Sequence, residues 1–142
     1  MGQVHMIFSA PRHGLPMESL LAAEIVADVG LAGCAHARSS TDRQVLIMDI
    51  ETLDALGLSA GIIRENITTE GINVNGLEPG ARLRIGEAVL QVAMPCTPCS
   101  LMDKIRPGLR KEIRGRRGML CRVLRGGTIR IGDAIEKVAT AV

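Results

Sequence analysis

The chain has 142 residues, 46% of them apolar, and a formal net charge of +2. That is enough for one packed domain over residues 1–142 and excludes a largely disordered chain. Phe8 is the only aromatic residue, which argues against a reader of single-stranded nucleic acid, and no apolar run approaches the roughly 18 residues of a membrane span.

Gln3 to Ala10 reads as a strand. With no basic, apolar leader at the start, the chain is expected to be cytoplasmic. Pro11 to Gly14 is a turn. The four-residue spacing of Leu21, Ile25 and Val29, closed by Gly30, predicts a helix over Pro16 to Val29. A loop rich in Gly, Ser and Ala follows to Asp42 and carries Cys34 and His36. Arg43 to Met48 is a strand, Asp49 to Leu56 a short helix, and Ala60 to Asn66 irregular.

From residue 67 the texture changes to short strands between Gly, Asn and Pro turns. Arg84-Ile85-Gly86-Glu87-Ala88-Val89 is echoed by Arg130-Ile131-Gly132-Asp133-Ala134-Ile135, each reading as strand, Gly-acid turn, strand. The expected fold is mainly β with minor helices, barrel-like or in two sheets. A short helix is expected within Met102 to Arg114.

Met94-Pro95-Cys96-Thr97-Pro98-Cys99-Ser100 follows an apolar strand and carries two thiols three positions apart. In a reducing compartment Cys34, Cys96, Cys99 and Cys121 are core, ligand or reactive residues rather than staples. A structural zinc site needs four ligands, and Cys34 and Cys121 stand isolated from the pair. A C-x-P-C disulfide oxidoreductase needs a βαβ context, which the β-rich texture does not offer. A soft-metal or sulfur-carrying thiolate needs nearby cations to lower its pKa. Segment 104–130 supplies them, with ten Lys/Arg against one acid, Glu112. The same charge run also reads as a solvated basic face.

The order Gly30-Leu31-Ala32-Gly33, His36, Arg43-Gln44-Val45, Arg64-Glu65-Asn66-Ile67-Thr68, Gly80-Ala81-Arg82-Leu83-Arg84-Ile85-Gly86, Pro95-Cys96-Thr97-Pro98-Cys99, Gly118 and Gly126-Gly127-Thr128-Ile129-Arg130-Ile131-Gly132-Asp133 resembles a MOSC domain, the C-terminal domain of molybdenum-cofactor sulfurases. The resemblance spans nearly the whole chain. It implies a β-barrel-like fold that binds the molybdenum cofactor (molybdopterin) or carries its sulfur as a cysteine persulfide. Cys99 stands at the family's thiol position as reactive thiolate and molybdenum ligand. Cys96 stands where many members have Arg and is expected to assist or resolve. Cys34 replaces a loop Asp common in the family.

For the cofactor's phosphate, guanidinium groups give a forked match. The candidates are Arg43, Arg64, Arg116 and Arg117. Asn66 either reads a pterin edge through its amide or braces a turn. His36 is either a ligand-facing residue or a loop histidine without a task. Pyridoxal phosphate is expected on a partner, a cysteine desulfurase-like sulfur donor, not on this chain. Sulfur transfer, cofactor carriage and a reductase role on N-hydroxylated substrates all stay open. So does a binding module that kept the barrel and lost the chemistry.

Overall fold

Short alternating segments separated by Gly-rich turns form eleven strands and three short α-helices in the computed structural model, which describes residues 1–14 and 16–139. In chain order they are β1 (Gly2–Ser9), β2 (Glu18–Leu20), β3 (Ala22–Val26), β4 (Gly30–Leu31), β5 (Val45–Asp49), α1 (Ile50–Ala55), β6 (Ile67–Glu70), β7 (Arg82–Ile85) and β8 (Ala88–Pro95). Then come α2 (Ser100–Ile105), α3 (Leu109–Glu112), β9 (Met119–Arg125), β10 (Gly127–Arg130) and β11 (Ala134–Val138).

Seven strands close a barrel in the order β1, β11, β7, β8, β9, β5, β6 and back to β1, with β2 added at the edge of β1. The pairs are antiparallel except β5 with β6, where Ile47 faces Ile67 in parallel register. A parallel pair needs a crossover, which α1 and the turns behind it provide. A smaller sheet, ordered β10-β3-β4, lies beside the barrel. The mainly β, barrel-like fold expected from the sequence is the fold observed.

Strand β5 shows how the layers are made. All five of its residues are buried. Val45 and Ile47 join the barrel core with Val4, Ile67, Leu83 and Leu90. Met48 packs outward beneath the helices with Leu53, Met102, Leu109 and Ile113. Leu46, also outward, joins Cys96 and Leu120 in a small third cluster. A strand covered on both faces reads as an uninterrupted apolar run, as Val-Leu-Ile-Met does. Asp49 ends it and starts α1, its Oδ2 accepting from the Thr52 N–H at 2.9 Å and the Thr52 hydroxyl at 2.6 Å.

One local expectation is corrected. Residues 16–29 form β2 and β3 rather than a helix. Leu21, which a helical stripe would bury, is 82% exposed, whereas Ile25 is buried. The four-residue spacing misled because Leu21 sits at the bend between β2 and β3 and shares no face with Ile25. Pairing of β3 with β10, from Ile25–Gly127 to Ala22–Arg130, overrides the local helical preference. The echo forms strand, turn and strand in both copies, as expected, but the two copies pair differently. Its first copy is a true hairpin of β7 and β8, but the second splits, with β10 pairing to β3 and β11 to β7 and β1. The two copies instead meet each other, with Ile135 opposite Ile85.

Asn66 ties the barrel together where β6 begins. Its backbone N–H donates to Leu46 O at 2.8 Å and its carbonyl accepts from Phe8 N at 2.7 Å. Its side-chain Oδ1 accepts from Leu46 N at 3.1 Å, and Nδ2 donates to Phe8 O at 3.3 Å and Cys34 Sγ at 3.5 Å. Removing the amide leaves buried backbone groups of β1 and β5 unpaired, each worth about 1–3 kcal/mol. Asn66→Ala should therefore lower stability by about 2–4 kcal/mol in urea denaturation with an unchanged m-value. A change below about 0.5 kcal/mol would show that the clamp is redundant.

Candidate functional site

The third apolar cluster forms the floor of a cavity. Leu46 and Leu120 lie on the outer face of β5 and β9, and Cys96 follows the end of β8. Above this floor is a cavity of about 350 Å³, walled by Arg38, Arg43, Arg64, Arg117, His13, His36, Gln44 and Asn66. Four guanidinium groups line it and no carboxylate does.

Backbone geometry puts the arginines there. Arg64 has φ +69°, a left-handed conformation that is uncommon for a residue with a side chain. It follows the turn in which Arg64 N donates to Gly61 O at 3.0 Å. Its neighbour Glu65 turns inward, its Oε2 accepting from the Gly61 N–H at 2.8 Å and the Thr68 hydroxyl at 2.7 Å. Arg64, Glu65 and Asn66 thus point to three different tasks: cavity wall, inner brace and clamp.

Arg117 is held by Gly118. That glycine has φ +93°, and a side chain on it would meet Ile47 O at 2.5 Å. Its N–H donates to Asn75 Oδ1 and its carbonyl accepts from Cys96 N, both at 2.9 Å. Cys96 and Arg117 are thereby fixed side by side. Arg117 is only 6% exposed, and its Nε and Nη1 have no hydrogen-bond partner; the Nη2 of Arg64 is likewise buried and unpartnered. Buried donors are normally satisfied, and these three nitrogens have no acceptor among the described residues.

The electrostatics agree. Burial lifts the Glu65 carboxyl above its usual range, against its hydrogen bonds and the field of Arg117. Burial, then the charge of Arg64, then His13, hold His36 below the ordinary histidine value; the two imidazole rings lie 5.6 Å apart. Burial pushes the Cys96 thiol up, Arg117 and Arg43 pull it down, and Cys99 adds a smaller upward push.

Of the residues singled out in the sequence, Arg43, Arg64, Asn66, His36, Arg117 and Cys96 gather at this cavity. Asn66 spends its amide on the clamp, so it braces the wall. Cys99 is exposed at the start of α2 and does not line the cavity. Arg116 points elsewhere, to a second cavity beside Asp49, Glu51 and Asn73, and its Nη2 donates to Glu112 O. Cys34 is buried against Asn66 and Ala10 N, and Cys121 is in the barrel core. Among the described residues no three Cys, His, Asp or Glu side chains converge as a metal site, so the four cysteines do not form the zinc cluster weighed from the sequence. Sequence reasoning missed Arg38, His13 and Gln44. Of these, Arg38 carried a signal, as a second basic residue two positions after His36.

The sequence profile of the MOSC domain matches residues 34–136. A search of curated proteins by sequence gave no match. Among solved structures, the YuaD protein from Bacillus subtilis superposes with a TM-score of 0.82 at 19% identity, covering 94% of this chain and 93% of that one. YiiM from Geobacillus stearothermophilus gives 0.77 at 20% identity, over 98% of this chain and 76% of that one. YiiM from Escherichia coli gives 0.75 at 19% identity, over 99% and 71%. At these identities the likeness is one of fold.

The four thiols should separate by reactivity. Cys99 is exposed, Cys96 is nearly buried with a raised pKa, and burial pushes Cys121 up to about 12. Iodoacetamide at about pH 8 should label Cys99 first and Cys96 more slowly, reaching Cys34 and Cys121 only on unfolding. Site-resolved mass spectrometry reads the order; Cys121 labelled as fast as Cys99 in the folded protein would contradict it.

Proposed function

The chain belongs to the MOSC domain family, and from that premise we propose that it binds the molybdenum cofactor in the arginine-walled cavity and handles sulfur through the Cys96–Cys99 pair. One observation carries the reading. Arg117 buries two unpartnered guanidinium nitrogens beside a thiol, in a cavity with no carboxylate on its wall. Burying an uncompensated cation is costly, and an anionic ligand would offset that cost.

The donor set fits the group. Arg117 and Arg64 would hold its phosphate by charge-assisted hydrogen bonds, with Arg43 and Arg38 adding field from the rim. Leu46 and Leu120 offer an apolar floor to a flat ring system. The cofactor, when bound, supplies a soft metal centre for which thiolate is a matched donor. Cys96 is the thiol facing the cavity, and Cys99 lies outside it. Pyridoxal phosphate has no part in this chain's share of the chemistry; a sulfur-donor enzyme of the desulfurase kind is the partner that the reading calls for. No helix of the described residues is long and apolar enough to cross a membrane.

Binding is tested by titrating the protein with molybdopterin and following the pterin fluorescence. Arg117→Met should weaken binding by about tenfold to a hundredfold, the loss of one or two charged hydrogen bonds. Equal affinity for wild type and variant would remove Arg117 from the site and with it the main support for the proposal. Failure of the wild type to bind would leave the alternative of a barrel without the chemistry.

The pH dependence has a definite sign. His36, held below its ordinary value of 6.5, is neutral in the free protein near pH 7. As pH falls through that region the unfolded chain takes up a proton that the folded one resists, so the free protein loses stability. A bound anion reverses the local repulsion and draws the proton on. Affinity for sulfate, which does not titrate in this range, should therefore rise as pH is lowered from about 7.5 to 5.5. The rise should vanish in a His13→Asn, His36→Asn double variant. Persistence of the full rise in that variant would assign it to Glu65, the buried carboxyl nearby whose pKa is raised.

A further inference from the structure

We propose that the two cysteines act in series: Cys99 accepts sulfane sulfur at the surface, and Cys96 receives it from Cys99 at the wall of the ligand cavity. The inference rests on the sulfur-handling part of the proposed function and adds an order and a direction to it.

The observation is that Cys96 borders two cavities. One is the arginine-walled cavity; the other, of about 210 Å³, is formed by the loop Pro95 to Pro98 with Asn75, Gly115 and Met119. Cys96 and Arg117 line both and form the partition between them. Cys99 lies three residues beyond Cys96, close enough for its charge to act on the Cys96 thiol. Cys99 itself is exposed, begins α2, and is followed by a segment on which Lys104, Arg110, Lys111 and Arg114 are exposed. A large sulfur donor can reach Cys99 but not Cys96, which is 8% exposed. The ligand in the larger cavity meets Cys96 but not Cys99. Sulfur arriving from a protein partner thus needs both thiols. Pro95 and Pro98 stiffen the four-residue loop between them.

The chemistry balances without an outside oxidant or reductant. The Cys99 thiolate attacks the terminal sulfur of a donor persulfide, forming Cys99–S–SH and releasing the donor thiolate. The Cys96 thiolate then attacks the terminal sulfur of Cys99–S–SH. An S–S bond forms at Cys96, the S–S bond at Cys99 breaks, and Cys99 leaves as thiolate. The proton lost by Cys96 ends on Cys99. Arg117 and Arg43, whose charges favour the anionic form of Cys96, stand where the attacking thiolate and the resulting persulfide anion need them.

The test uses the full chain and glutathione persulfide as donor. Samples are quenched with iodoacetamide at intervals, and fragment-ion mass spectrometry places the extra sulfur. In the wild type it should appear on Cys99 first and then on Cys96. Cys99→Ser should slow loading of Cys96 by about tenfold or more, because the direct route is occluded. Cys96→Ala should leave the sulfur on Cys99. Raising the pH from about 7 to 9 should speed the second step, since the Cys96 thiol must first ionise. Cys99 is exposed, so its replacement tests the relay without disturbing the core. Wild-type loading of Cys96 in Cys99→Ser overturns the relay. So does a Cys96–Cys99 disulfide with one equivalent of released sulfide, which would make Cys96 a resolving thiol. No loading of either cysteine also overturns it, while the separate molybdopterin titration still decides whether the cofactor is bound.

Discussion

The amide of Asn66 is the constraint on which the barrel and the cavity both depend. Main chain and side chain of this one residue bond to Leu46 on β5 and Phe8 on β1, and the side chain also reaches Cys34 in the loop between β4 and β5. β5 and β6 are the barrel's parallel pair, and parallel strands have no tight turn to set their register. The Asn66 clamp sets it at the first residue before β6. Once it is set, Arg64 two residues earlier must leave the turn in a left-handed conformation, and its side chain projects over Leu46. The strained residue and the clamp are therefore parts of one device: the hydrogen bonds of Asn66 and the inward hold of Glu65 over-determine a backbone that Arg64 alone would avoid.

The basic stretch that looks continuous in sequence is divided by the fold. Arg117 goes inward to the cavity. Arg116, next to it, goes to the opposite side. Arg106 pairs with Glu112 at 3.0 Å, and Arg122 with Asp28 at 2.8 Å. Asp28 is in turn held below the usual carboxylate range by hydrogen bonds from Gln44 and Arg122. The cavity's charge comes from four arginines on three separated stretches: Arg38 and Arg43 before β5, Arg64 before β6 and Arg117 before β9. Non-local assembly of this kind concentrates positive potential where no single run of sequence shows it.

This explains what was legible in the sequence and what was not. The β5 strand, the short helix after it and the β7–β8 hairpin carry strong local signals: an apolar run, an Asp cap and a Gly-acid turn. They were readable. The strands between 18 and 26 were not, because β2 depends on pairing with β1 and β3 on pairing with β10, a hundred residues away in sequence, and those pairings outweigh a helical spacing. The motif Arg64-Glu65-Asn66 stood out as a unit, but the division of labour within it appears only when Glu65 turns in and Asn66 is seen to spend its amide on the frame. The cysteine pair was visible at once. Its two members differ through burial, which spacing does not encode.

The asymmetry of that pair follows from opposing terms. Desolvation disfavours the Cys96 thiolate, and the positive charges of Arg117 and Arg43 favour it. Desolvation is the larger of the two, so the thiol's pKa lies above its ordinary value. Arg117 is correspondingly left without an anionic partner. A chain selected for stability alone would relieve both costs by exchanging the arginine for an apolar residue, since buried charges are seldom favourable in themselves. Instead Gly118, with a backbone conformation few other residues accept and no room for a side chain against Ile47 O, holds arginine and thiol together. The tension is local, is fixed by a rigid element, and lies where two cavities meet. An anion bound at Arg117 would offset its charge and so withdraw part of its support for the Cys96 thiolate.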